Sequence, residues 1–326
     1  MLLPADLILL PYTSDLTPAG IAFACQTLPY PDCRNTTQTY QQLRRIVAQQ
    51  AAELAFRRHL TMIQVPHKLG QESIFARPGR ISAVIGGRLC NLYSSAIFNR
   101  EAIRCIHQNP ASMLSSPARI PLTDLTQENR SGTDLLIFSF VTGLVTYSVD
   151  DINKAKAAGK PIHLLYPLPA AWSQQSSRSS LGRIVLKSES ESSLCVSLGG
   201  YTGNNCYTVL EIDLPPLQRL QTQENFHSLV YVHINGIPTK RVGLHSRALG
   251  KTVVVHPYQW GNVWIYGMKI ILAGWMSREE FRRYARPCRN DPYHFTPHGN
   301  GNKYLAVPVD QLRPLEDLFS RALSWG

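Results

Sequence analysis

An α/β domain followed by a β-rich module of sandwich or barrel type is the fold class the sequence predicts, and three observations carry it. Residues 40–60 contain no Gly or Pro and read as one long helix. From residue 61 to residue 166, strand and helix patterns succeed one another. Beyond residue 181, short strands recur at regular spacing with turn clusters between them. The Gln- and Ser-rich run 173–180 separates the two parts, placing an α/β domain at 1–172 and a β-rich module with C-terminal helices at 181–326.

Taken in order, residues 5–11 read as a buried strand and 20–28 as a second short element. Turn residues 30–35 lead into the long helix, where Asn35, Thr36 or Thr37 would supply the cap. Leu43, Ile46, Val47, Leu54 and Ala55 recur at helical spacing as its buried stripe, with Gln41, Gln42, Arg44, Arg45, Gln49 and Arg57 mostly off it. Glu53, the helix's one acid, projects near the stripe's edge, where an i,i+4 pair with Arg57 is the plain expectation. Residues 61–65 have strand chemistry and stop at Pro66. Residues 80–85 and 88–94 form a hairpin turning on Gly86-Gly87, and 99–107 a short helix closed by Asn109-Pro110. After a Pro-punctuated connection, the near-continuous apolar run 134–141 predicts a strand covered on both faces. A helix at 149–158 and a strand at 161–166 complete an expected βαβ unit with a parallel pair.

The second part predicts strands at 183–187, 194–198, 207–212, 229–234, 252–256 and 263–272, with turns at Gly199-Gly200 and at 203–205. Ser277 and Glu280 form a capping box that opens a short helix. A loop follows at 287–302. Leu315, Leu318, Phe319 and Leu323 then predict a terminal helix docked on the core.

The order helix, three strands, helix, strand in the first half resembles the core of the PD-(D/E)XK nuclease superfamily, a restriction-endonuclease-like mixed sheet flanked by helices. The resemblance implies a helix Glu, a strand Asp and an acid-x-Lys converging on Mg²⁺, with the Lys orienting or activating the attacking water. Glu53 matches the helix acid. Pro78-Gly79 stands roughly where Pro-Asp would be, and Asn91-Leu92-Tyr93 where the acid-x-Lys would be. Only the Glu survives. Asn91 is a weak oxygen ligand and Tyr93 cannot replace a Lys, so the match implies a pseudonuclease. An active enzyme with a displaced Mg²⁺ site would need an acid and a Lys from elsewhere, such as Asp134 and Lys160.

The 33 Lys and Arg outnumber the 22 Asp and Glu for a net charge of +11, which points to an anionic partner, most simply nucleic acid. Both halves share the excess, so a binding surface must be assembled by folding. Arg278, Arg282, Arg283, Arg286 and Arg289, with Tyr284, mark one candidate surface. Arg57, Arg80 and Arg88 around the helix and hairpin mark another. Cys288, His294 and His298 have partial zinc-site spacing without a fourth ligand, and incidental His in a loop is the plainer explanation. The cluster Trp260, Trp264 and Tyr266, with Trp275 near, predicts core packing ahead of base or sugar stacking. His163 predicts a hydrogen-bonded core His, and 187–191 an exposed edge.

Seven Cys without a C-x-x-C pair fit reduced thiols and a cytoplasmic setting. Residues 1–10 lack the basic flank of a secretory signal, and no apolar run is long enough to span a membrane. Walker A, G-x-G-x-x-G, G-x-S-x-G and H-E-x-x-H are absent. The sequence therefore predicts a nucleic-acid-binding protein without robust cleavage. The alternative is an interaction protein whose β module takes a protein or carbohydrate partner.

Overall fold

The computed structural model describes residues 2–27, 36–69, 81–126, 133–146, 148–173, 180–203, 206–288, 294–295 and 304–324. Among them the fold is mixed α/β. Strand β1 (Ile8–Leu10) leads to α1 (Leu16–Thr27) and the long α2 (Thr36–Met62), then β2 (His67–Leu69), β3 (Ile81–Ile85), β4 (Arg88–Ile97) and α3 (Arg100–Gln108). Strand β5 (Pro117–Pro121) and α4 (Leu122–Leu125) precede β6 (Leu135–Leu144), α5 (Val149–Ala157), β7 (Leu164–Pro167) and α6 (Ala170–Ser173). Seven strands follow: β8 (Ile184–Ser188), β9 (Leu194–Thr202), β10 (Tyr207–Leu214), β11 (Arg219–Gln221), β12 (Phe226–Ile234), β13 (Val242–Ser246) and β14 (Lys251–Val255). The chain ends through β15 (Gly261–Asn262), β16 (Tyr266–Ser277), α7 (Arg278–Tyr284), β17 (Arg286–Cys288), β18 (His294–Phe295), β19 (Tyr304–Pro308) and α8 (Leu315–Ser324).

These elements form two compact units. One collects Met1–Ile21, Arg44–Leu144 and Gly267–Gly326, the other Ala22–Leu43 and Val145–Tyr266. Neither is a single stretch of sequence, because strands far apart in the chain share sheets. The first unit holds a sheet ordered β1-β16-β6-β4-β3-β2, with β18 also on β4, and a small sheet β17-β19-β5. The second holds a five-stranded sheet β10-β9-β12-β7-β15 and a four-stranded sheet β11-β8-β13-β14.

In the first unit, β6 is buried along its whole length, as a strand covered on both faces must be. Its parallel partner is β4, in register from Cys90↔Leu135 to Ile97↔Thr142, and the crossover between them carries α3. The expected parallel pairing of residues 134–141 with 161–166 is therefore corrected. Strand β7 pairs antiparallel with β12 and β15, in the other unit's sheet. The hairpin on Gly86-Gly87 forms as predicted, both glycines adopting positive φ. Asn99 caps α3, accepting from the Ala102 N–H at 2.9 Å.

Helix α2 buries far more than the predicted stripe. Arg44, Ala48, Gln49, Ala51, Ala52 and Glu53 join Leu43, Ile46, Val47 and Ala55 in the interior. Gln49 has a specific task beyond β3's last pairing with β4 at Ile81↔Leu92. Its amide donates to the Leu92 carbonyl and accepts from the Ser94 N–H, both at 3.2 Å. One side chain thus completes a stretch of sheet edge that has no strand beside it among the described residues.

The predicted strand at 61–65 is the end of this helix instead. Gln64 takes φ 56°, its N–H bonds the Thr61 carbonyl, and the Val65 N–H reaches back to Leu60, closing the helix in a Schellman motif with Val65 and Leu60 both buried. A side chain in the left-handed region costs about 1 kcal/mol. Gln64→Gly is expected to stabilise the protein by about 0.5–1 kcal/mol, read as a rise in the urea midpoint at constant m. A lower midpoint would mean that the glutamine side chain supplies more than its backbone costs.

The other corrections are local. Residues 5–11 yield only a short strand with Leu9 exposed, and of the predicted element 20–28 residues 20–27 fall in α1, while residue 28 lies outside the described residues. Gly199 and Gly200 lie inside β9, not in a turn. A Cβ on Gly199 would sit 2.0 Å from the Tyr231 ring, and one on Gly200 2.2 Å from the Ser228 carbonyl, so close cross-strand approach requires both glycines. On α8, Leu315, Leu318 and Phe319 are buried, but Leu323 is exposed and Ala322 takes the inner position.

Candidate functional site

Of the residues in the nuclease resemblance, Glu53 sits on α2, and Asn91 and Tyr93 sit on β4, all in the first unit. All three are buried, Glu53 to 2% exposure. The Glu53 carboxylate pairs with Arg57 one turn on, while its second oxygen, Oε2, has no hydrogen-bond partner among the described residues. Burial pushes this carboxyl up to about 7, against the pull of Arg57. Tyr93 donates to the Asp124 carboxylate at 3.5 Å and stacks on Phe138. Asp134 is buried at the head of β6, and Lys160 is exposed after α5.

The arginines divide. Arg278, at the first position of α7, is fully buried with its guanidinium on the carbonyls of Leu125 (3.2 Å) and Asp124 (3.0 Å). It caps the C-terminal end of α4 and is not placed to meet a phosphate, which corrects its assignment to a binding face. Arg282 also donates to the Leu125 carbonyl, although much of its side chain is exposed. Arg88, Arg283 and Arg286 are exposed, and Arg57 is partly so. Arg80 and Arg289 lie outside the described residues. Cys288 is half-buried in β17, the backbone of His294 pairs with Ile97, and His298 lies outside the described residues. Among the described residues no three His, Cys, Asp or Glu side chains group as metal ligands. Trp260, Trp264 and Trp275 are core residues as expected.

A different site lies in the second unit. Strand β8 is not an edge: it lies between β11 and β13. Its alternation buries Ile184, Leu186 and Ser188 and turns Val185 and Lys187 outward. Strands β13 and β14 alternate likewise, with Val242, Leu244, Ser246, Val253 and Val255 inward. The outer face forms a groove with a cavity volume of about 460 Å³. Lys187, Arg219, Arg241 and Arg247 line it, with His245 and Thr252 bonded to each other at 2.9 Å. Register sets the convergence, placing Arg219 opposite Lys187 on one side and Gly243 opposite Lys187 on the other.

Glu189 is the carboxylate among the groove's lining residues. Arg241 grips it with two hydrogen bonds, at 2.8 and 3.0 Å. That contact above all, with Lys187 and His256 adding, holds Glu189 below the usual carboxylate range. Its charge is thus spent locally, and the groove presents net positive potential to solvent.

No family model, curated protein or solved structure matches this chain. Among the described residues no helix is long and apolar enough to cross a membrane.

Proposed function

We propose that this protein binds nucleic acid through the basic outer face of the sheet β11-β8-β13-β14. The groove itself carries the proposal: four cationic side chains line it, and Arg241 already neutralises the one lining carboxylate. An array of Lys and Arg on a solvent-facing sheet takes a phosphodiester backbone by displacing its counterions. The net charge of +11 supplies the long-range attraction.

The first unit supports a restriction-endonuclease-like core that has lost its chemistry. It retains α2, the antiparallel meander β2-β3-β4, α3, and β6 parallel to β4. The residues that the resemblance assigns to Mg²⁺ do not fit a hard cation. Glu53 is paired with a guanidinium, Asn91 offers an amide, and the Tyr93 hydroxyl is turned to Asp124.

The test is the salt dependence of binding in paired variants. For Arg219→Ala/Arg247→Ala, the slope of log K against log salt is expected to fall by about two, with affinity down about tenfold or more at physiological salt. Arg283→Ala/Arg286→Ala, on one of the candidate surfaces read from the sequence, should leave the slope unchanged. The reverse result would move the interface to α7 and β17. Binding insensitive to salt would remove the proposal.

A further inference from the structure

The groove ends in an aromatic pair, half-buried His256 and exposed Tyr258. Thr252 and Val254 line the groove from alternate positions of β14, and His256 is the next residue in that alternation. Arg241 precedes Val242 and His256 follows Val255, and these two pair across β13 and β14, which places His256 at the Glu189–Arg241 end. Tyr258 follows two residues later on a single 3-10 turn, Pro257–Gln259, braced by the His256 N–H donating to Gln259 Oε1 at 2.8 Å. The Tyr258 ring stacks on the His256 ring with centroids 5.4 Å apart and planes 24° apart. Tyr258 is 82% exposed, the highest value among the exposed large apolar side chains of the described residues. The other large aromatics near it in sequence, Trp260 and Trp264, are buried.

Burial therefore does not hold Tyr258 in place. A flat ring pre-stacked on one face, at the end of a basic channel, is the arrangement that takes an unpaired base on its open face. Arg241 and Arg247 lie six residues apart along β13 and its turn, about 20 Å at strand rise, so the channel can follow a backbone for several phosphates before it reaches the ring. In a duplex the bases already stack on one another, and no free face reaches Tyr258.

We infer that the groove is a single-strand site, in which phosphates lie along Lys187, Arg219 and Arg247 and an unpaired base stacks on Tyr258. This rests on the nucleic-acid reading of the groove. The experiment is fluorescence anisotropy of the full chain with a labelled 20-nucleotide single strand, as oligo-dT and as oligo-U, and with a 20-base-pair duplex. Wild type, Tyr258→Ala, Tyr258→Phe and Arg219→Glu/Arg247→Glu would be compared.

The expected result has three parts. Single strands bind more tightly than duplex. Tyr258→Ala weakens single-strand binding about five- to hundredfold and leaves duplex binding unchanged. Tyr258→Phe restores the single-strand preference, because the ring and not the hydroxyl does the stacking. If duplex binds as tightly as single strand and Tyr258→Ala changes neither, while Arg219→Glu/Arg247→Glu abolishes both, the stacking site is overturned and the basic groove stands. If the charge-reversal variant binds every probe as wild type does, the groove itself is wrong and the inference falls with it.

Discussion

Arg278→Met is expected to destabilise the protein by about 2–4 kcal/mol, while Arg283→Met on the same helix changes stability by no more than about 0.5 kcal/mol. Both residues lie on α7, five positions apart, and a sequence count of basic residues treats them alike. Their surroundings differ completely. The buried side of α7 runs through Arg278, Phe281 and Ala285, with Phe281 stacked on Phe138 of β6. Arg278 occupies the first place on that side because Ser277 caps the helix immediately before it: Ser277 accepts from the Glu280 N–H at 3.2 Å and Glu280 accepts from the Ser277 N–H at 3.1 Å. From there the guanidinium reaches the last carbonyls of α4. Methionine keeps much of the volume and removes every donor. Arg282 still serves the Leu125 carbonyl, so the loss falls on Asp124 and on the other contacts of the buried guanidinium. Urea denaturation of both variants is the measurement. Equal midpoints for Arg278→Met and wild type would show that α4 needs no cap from α7.

That contrast shows what the sequence contains locally and what only the fold decides. The spacing 278, 281, 285 is a helical stripe, and Phe281 marks its apolar side, so the burial of Arg278 was legible once the arginines were placed on the helix individually. Local signals are legible: the capping box, the Gly86-Gly87 turn and the long α2 each depend on residues within a few positions of one another. Strand partnership was not legible, because it is decided over long separations. The spacing of 134–141, 149–158 and 161–166 is compatible with a βαβ unit, yet β4 and β12 supply the pairing. The groove failed for the same reason. Lys187, Arg219, Arg241 and Arg247 are isolated residues spread over 61 positions, and only the registers of β8, β11 and β13 bring them to one face. Tyr258 could have been found: one aromatic between Pro and Gln, just after an alternating strand, is a poor core residue.

The second large effect is an opposed response of the two units to acid. In the second unit His163 and His233 stack within the core, with His163 Nδ1 and His233 Nε2 3.0 Å apart, and His233 Nδ1 lies 3.3 Å from Ser197 Oγ. Nε2 of His163 is buried without a partner among the described residues. One neutral ring donates to the other's lone pair, so a proton on each ring would set N–H against N–H. Burial drives His163 down to about 4, and burial together with the His163 charge drives His233 down to about 3. The folded state therefore binds fewer protons than the unfolded chain below the ordinary His value of 6.5. The stability that these residues contribute is full above that pH and is lost as pH falls toward 4, at about 1.4 kcal/mol per pH unit for each proton that only the unfolded chain takes up. Glu53, in the first unit, has the opposite sign. Raised from 4.5 to about 7, it contributes stability that is full below 4.5 and is lost as pH rises through 7, on the order of 3 kcal/mol in all. Between pH 6.5 and 4.5 the second unit should thus weaken while Glu53 favours the first. Amide hydrogen exchange, corrected for its intrinsic pH dependence, separates the two. Protection in β7, β9 and β12 is expected to fall over that window, while protection in β4 and β6 holds or rises. In Glu53→Gln the rise in β4 and β6 should vanish and the fall in β7, β9 and β12 should remain. Protection in β12 that stays constant down to pH 4.5 would show that the folded His pair accepts a proton as readily as the unfolded chain, which a buried, directionally bonded pair with an unpartnered nitrogen cannot do.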